Sequence, residues 1–332
     1  MVNPELRPNF DFARDISAGW GILPIEKGSE FWQQLKEGVQ FEINCFDRST
    51  GGFSQRPGGH PDLWSTRLAL ESLWWSEAGL GIDDAISRLK KKHGDKVFER
   101  IVGFVSNAFA EDTESRDDKE FQVGGFRNEQ RELSTATTFE AIQVLFTLEE
   151  LLGEKGSIDA IEREHPQAFS RILNLVDLRW MESGDIGGFA QVKSQSIPDI
   201  WGTNASLDIV KHLSSHRFED HQQETADWIK KIQSRTDQIM NLLKVYQDPR
   251  GGFGFSPNSH PNVFSTLQAA QVLKNLILFN PGQEAHLYQI GGAMVRMGMA
   301  DFTELLRVPS GIAYYGIAHT GREKLLDLKF GT

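Results

Sequence analysis

Cysteine is almost missing from this chain: Cys45 is the only one in 332 residues. An intrachain disulfide framework is therefore excluded, and the composition fits a reducing, cytoplasmic compartment. Cys45 follows the apolar helical run in FEINCFD, a setting that favours a buried structural thiol over a nucleophile. Positive charge is also short, with 35 Lys and Arg against 46 Asp and Glu and a formal net charge of −11. Nucleic-acid binders are usually basic, so no nucleic-acid partner is expected. No apolar run approaches the roughly 18 residues that a membrane span needs. The opening MVNPELRPNFDFARD has no apolar core of a signal peptide. Alternation of the strand type is scarce too. What remains is ordinary for a globular protein, and the length suffices for a sizeable core.

What is present is a repeat. The triplet Gly-Gly-Phe starts at Gly51, Gly124, Gly187 and Gly251, at separations of 73, 63 and 64 residues. After each triplet comes a polar loop, a Ser or Gly, a Thr, and an apolar run. We align Thr66, Thr135, Thr203 and Thr266, which lie 15, 11, 16 and 15 residues after the first glycine of their copy. Before and between the triplets, FWQQLKEGVQFEI, KVFERIVGFVSNAF, AFSRILNLVDLRW and TADWIKKIQSRTDQIMNLLKVY place apolar residues three and four apart, the mark of amphipathic helices. Each copy thus reads as an outer helix, a Gly-Gly-Phe turn and an inner helix. Glycine pairs end helices sharply, and the Ser-Thr or Gly-Thr step suits an N-cap. A lone helical hairpin cannot bury its apolar face, so the copies should stack.

Gly-Gly-Phe, a loop holding Pro or Gly, an Asp, and then Thr opening a helix resembles the repeat of protein prenyltransferase beta subunits and of squalene and terpene cyclases. The resemblance covers roughly residues 20 to 280. It implies an all-α fold, an α/α toroid closed from helical hairpins with inner helices around a central cavity. We expect one domain over residues 1–332, with an N-terminal extension at 1–20 and closing helices and a tail at 280–332.

The family's chemistry can be followed position by position. The zinc of the protein prenyltransferases is held by an Asp, a Cys two residues on, and a His before the last Thr. Here IPDIWGT keeps Asp199 but has Trp201 at the Cys position, and HPNVFSTL has Ser265 at the His position. A lone carboxylate does not hold catalytic zinc, so no metal and no cofactor is expected. The diphosphate-binding cations are thinned to Lys193, Arg127 and Arg131, and Arg56, Arg127 and Lys193 are most simply solvated loop charge. The acidic trio of class II cyclases is missing from DLWST, RELSTA, DIWGT and NVFST. The aromatic cavity does persist. Trp64, Thr135, Trp201 and Phe264 are placed at equivalent positions, with Phe139, Trp75 and Tyr315 deeper, and Gln268 beside them as a further substrate contact. Aromatic faces suit apolar polyenes and cationic carbon. The polar candidates for chemistry are Tyr314, Asn204, Glu71 and Asp208, each inner-helix carboxylate being either a rim residue or a pocket residue with a raised pKa.

The expected function is a metal-independent, terpene cyclase-like enzyme that folds a hydrophobic small-molecule substrate, terpenoid or polyketide-derived, for a cyclisation or pericyclic reaction. The alternatives are a non-catalytic isoprenoid-binding or beta-subunit-like partner protein, and a divergent magnesium-dependent prenyltransferase; the macromolecular partners to consider are a helical subunit or a second copy of the chain.

Overall fold

The structure, a computed structural model, describes residues 30–74, 76, 84–152, 157, 159–215, 222–249, 252–255, 257 and 259–280. They divide into two compact units. The first lies within residues 1–108 and 140–164, the second within 109–139 and 165–332.

The first unit holds α1 (Glu30–Asn44), α2 (Leu63–Trp74), α3 (Ala85–His93), α4 (Val97–Asn107), the larger part of α5 (Thr135–Leu152), and α6 (Asp159–Glu164). The second holds β1 (Phe109–Arg116), β2 (Lys119–Arg127), β3 (Leu133–Ser134), the first turn of α5, α7 (Ala168–Leu178), β4 (Trp180–Ser183), β5 (Ile186–Phe189), α8 (Ile200–Ser215), α9 (Gln222–Tyr246) and α10 (Val263–Phe279).

The strands correct the expectation of an all-helical chain. β1, β2 and β3 form one antiparallel sheet in that order, and β4 and β5 form a second. Gly-Gly-Phe turns out to be the return leg of a hairpin. Phe126 pairs with Phe109 across β1–β2, and Phe189 with Trp180 across β4–β5. In the first and last copies the hairpin shrinks to single bridges, Phe46 to Phe53 and Gln247 to Phe253. β1 is polar and mostly exposed, and the glycine pairs of β2 and β5 carry no side chain into an alternation, so these strands are silent in the sequence. The bridged pairs Phe46–Phe53, Phe109–Phe126 and Trp180–Phe189 meet edge to face with centroids 5.1, 5.6 and 5.0 Å apart, the stabilising cross-strand geometry for aromatics. All four triplet phenylalanines are fully buried.

One hydrogen bond closes every copy. The backbone N–H of the triplet phenylalanine donates to a threonine Oγ1 on the inner helix: Phe53 to Thr66 at 2.9 Å, and Phe126 to Thr138, Phe189 to Thr203 and Phe253 to Thr266 at 3.0 Å. The second copy therefore uses Thr138, and the alignment of Thr135 is corrected. Thr138 lies 14 residues after Gly124, in step with the other copies. The second glycine of a triplet must stay bare for this bond, since a Cβ on Gly125 or Gly188 would stand 2.6 or 2.8 Å from the threonine oxygen. Four residues before each threonine sits an N-cap acceptor. Asp62 takes the N–H of Ser65, Ser134 that of Thr137, Asp199 that of Gly202, and Asn262 that of Ser265.

The helices before and after a triplet differ as their sequences do. α7 buries one face, formed by Ala168, Phe169, Ile172, Leu173, Leu175 and Val176, and leaves the other partly exposed. By contrast α5 is buried all round from Thr138 to Glu149, and α8 from Gly202 to Val210. Within the second unit, Arg179 at the end of α7 donates Nη1 and Nη2 to the two carboxylate oxygens of Glu114 on β1, at 2.8 and 2.7 Å. This bidentate pair is almost wholly buried and ties the hairpin of one copy to the helix of the next.

Candidate functional site

The corrected threonine resets the aromatic positions. Trp64, Trp201 and Phe264 each stand two residues before their corner threonine, and the residue there in the second copy is Ala136, not Thr135. Thr135 is buried and spends its groups on the neighbouring hairpin, its N–H on Gln191 O at 2.9 Å and its Oγ1 on Ala190 O at 3.2 Å. Trp64, Trp201 and Phe264 remain partly exposed at the starts of their helices, of which α8 is otherwise largely buried and α2 buries half of its residues. In the second unit Trp201 and Phe264 meet edge to face at 5.3 Å, with Phe255 tilted beside Phe264 at 5.7 Å. Phe139 is buried. Trp75, Tyr314 and Tyr315 lie outside the described residues.

Beneath the aromatic pair, the polar side chains of α8 and α10 join in one chain of hydrogen bonds. Asn204 Nδ2 donates to Gln268 Oε1 at 2.7 Å. Asn275 Nδ2 donates to Asn204 Oδ1 at 3.3 Å, and Lys211 Nζ donates to Asn275 Oδ1 at 3.4 Å and to Asp208. Three predicted residues, Asn204, Asp208 and Gln268, are thus brought together, with Asn275 and Lys211 as members that the sequence did not single out. They satisfy one another between two helices, as buried polar groups must.

The first unit carries the charged counterpart. Arg67 on α2 lies 5.2 Å over the Trp64 ring. Its Nη1 donates to both oxygens of Glu71, at 2.9 and 2.8 Å, and its Nε donates to Oε2 of Glu140 on α5. Glu140 is 3% exposed and its Oε1 meets no hydrogen-bond partner among the described residues. Burial opposes ionisation of Glu140 more strongly than Arg67 favours it, and the Glu71 charge adds to the burial, so its carboxyl is pushed up to about 7. Burial also works against the charge on Arg67, but the two carboxylates outweigh it and hold the guanidinium protonated. Neither Arg67 nor Glu140 was picked out from the sequence. The available signal was a single carboxylate within the apolar helical run TFEAIQVLF.

The zinc-loop equivalent is spent on the fold. Asp199 Oδ1 caps α8 through Gly202, and Oδ2 accepts from Gln191 at 2.8 Å and Gln195 at 2.6 Å. Burial raises its pKa against these bonds. Among the described residues no three His, Cys, Asp or Glu side chains gather as a metal would require. Arg56, Arg127 and Lys193 are exposed. A groove of about 380 Å³ opens in the second unit, lined among others by Arg116, Trp180, Lys193 and Gln195, but none of the predicted site residues lines it. Cys45 is buried. No described helix is long and apolar enough to cross a membrane.

The family described as the prenyltransferase alpha-alpha toroid domain matches residues 18–79, 83–235 and 191–290. No curated protein matches the chain. With its four corners and matches over most of its length, the chain belongs to the prenyltransferase α/α toroid domain family.

Proposed function

We propose that this protein is a metal-independent, terpene cyclase-like enzyme that shapes an apolar substrate, terpenoid or polyketide-derived, for a cyclisation or pericyclic reaction. The observation that supports it is the set Trp64, Trp201 and Phe264: one place in the repeat, three aromatic side chains, each left partly exposed on an inner helix. A core aromatic would be covered, and a solvent-facing residue at a helix start has no reason to be aromatic three times. Aromatic faces hold polyenes by area and stabilise cationic carbon. Holding a flexible substrate in its reactive shape is worth several kcal/mol of barrier, which is the main demand of a pericyclic step. Trp201 and Ser265 at the family's zinc-ligand positions support chemistry without that metal.

The test is the double variant Trp64→Ala/Trp201→Ala. It should keep the circular dichroism and melting behaviour of the parent and lose binding of an apolar polyene such as farnesene, together with turnover. Unchanged binding in a folded double variant would refute the reading.

A further inference from the structure

The two polar clusters occupy the same places in the repeat. Counted from the corner threonine, Arg67 and Asn204 are both the next residue, and Glu140 and Gln268 are both two residues on. The bond from Arg67 to Glu140 in the first unit is therefore the counterpart of the bond from Asn204 to Gln268 in the second. The second unit builds this link from two neutral amides, so the fold does not require charge there. The first unit builds it from a guanidinium and a buried carboxyl. Arg67 already has a counter-charge in Glu71, both of whose oxygens accept from its Nη1. Glu140 is a second carboxyl beside a cation that is already neutralised, and its Oε1 has no hydrogen-bond partner among the described residues. A buried polar atom left unmatched, where the equivalent position shows a cheaper solution, points to a ligand.

We propose that Oε1 of Glu140 is the recognition point for a neutral oxygen, a carbonyl or hydroxyl, at one end of an otherwise apolar ligand. This rests on the apolar-substrate reading and narrows its substrate class. The charges acting on Glu140 are Arg67 and Glu71 on α2 and Asp62 at the cap of that helix. With Arg67 paired to Glu71, their sum leaves no positive charge for an anionic end group, so a diphosphate or carboxylate is disfavoured. Oε2 accepts from Arg67, so a proton carried by Glu140 sits on Oε1 and can be donated to a carbonyl. A carbonyl held this way is polarised, which activates a conjugated system toward ring closure. Arg67, stacked on Trp64, is the positioning residue that fixes the carboxyl plane.

The experiment compares farnesal with farnesene, which share a carbon skeleton and differ in the aldehyde, by calorimetric titration from pH 5.5 to 8.5. Burial holds the Glu140 proton to about pH 7, so farnesal affinity should fall at least fivefold across this range while farnesene affinity stays flat. In Glu140→Gln, which copies the amide of the second unit and should fold, farnesal affinity should lose its pH dependence. Farnesal and farnesene with the same flat profile in the parent, or an unchanged slope in folded Glu140→Gln, would overturn the proposal while leaving the apolar-substrate reading intact. Failure of both probes to bind would overturn the two together.

Discussion

Replacing Thr138 by Val tests the corner that organises the repeat. Valine keeps the side-chain shape and removes only the oxygen that accepts the Phe126 N–H at 3.0 Å. Both residues are fully buried, so water has no ready access to the orphaned donor. An unpaired buried donor costs about 1–3 kcal/mol. Thr66→Val, Thr203→Val and Thr266→Val should fall in the same range, because each breaks the same bond. Thr135→Val should cost less, about 1 kcal/mol or below, since it loses a hydroxyl bond to Ala190 O and keeps the backbone bond to Gln191 O. Urea unfolding followed by circular dichroism gives the ranking. Hydrogen exchange gives the site, because the Phe126 amide should exchange faster in Thr138→Val and not in Thr135→Val. If Thr135→Val proves the more damaging change, or Thr138→Val leaves the midpoint and the Phe126 amide untouched, the assignment of the second corner is wrong.

The buried Glu140 carboxyl predicts a stability profile. Its pKa in the folded state, about 7, lies above the ordinary 4.5, so the folded chain binds the proton more tightly. Its contribution is present in full below pH 4.5 and is lost as pH rises through 7. The full loss is bounded at about 3 kcal/mol. The melting temperature of Glu140→Gln minus that of the parent should therefore climb between pH 5 and 8, and a level difference would contradict the burial argument. Arg179→Met strands the Glu114 carboxylate in a buried site and should destabilise by about 3–5 kcal/mol in chemical denaturation. Adding Glu114→Gln should recover much of that loss, and no recovery would mean that Arg179 acts through packing alone.

Much of the architecture was legible because it depends on local chemistry that repeats. Four Gly-Gly-Phe triplets announced four corners, and amphipathic runs before each triplet separated outer helices from the apolar inner ones. The aromatic places Trp64, Trp201 and Phe264 followed from the same register. The second copy was misread because its loop is shorter and offers two threonines three residues apart, Thr135 and Thr138. Both can open a helix, and only the position of Phe126 N–H decides between them. The strands were hidden because β1 is polar and mostly exposed and because β2 and β5 each hold a glycine pair, so neither hairpin shows an apolar alternation.

The sequence by itself determined that four corners exist, since Gly-Gly-Phe followed by a hydroxyl residue is read along the chain, while the choice between Thr135 and Thr138 fell to the folded chain. It also determined that the zinc-loop positions carry Trp201 and Ser265. Only the tertiary structure decided which polar groups meet. Arg67 and Glu140 are 73 residues apart in the chain, and nothing in the spacing of either reveals the other. Whether Glu140 titrates near 4.5 or near 7 depends on its burial and on the charges brought to it from α2, quantities that exist only once the helices have packed.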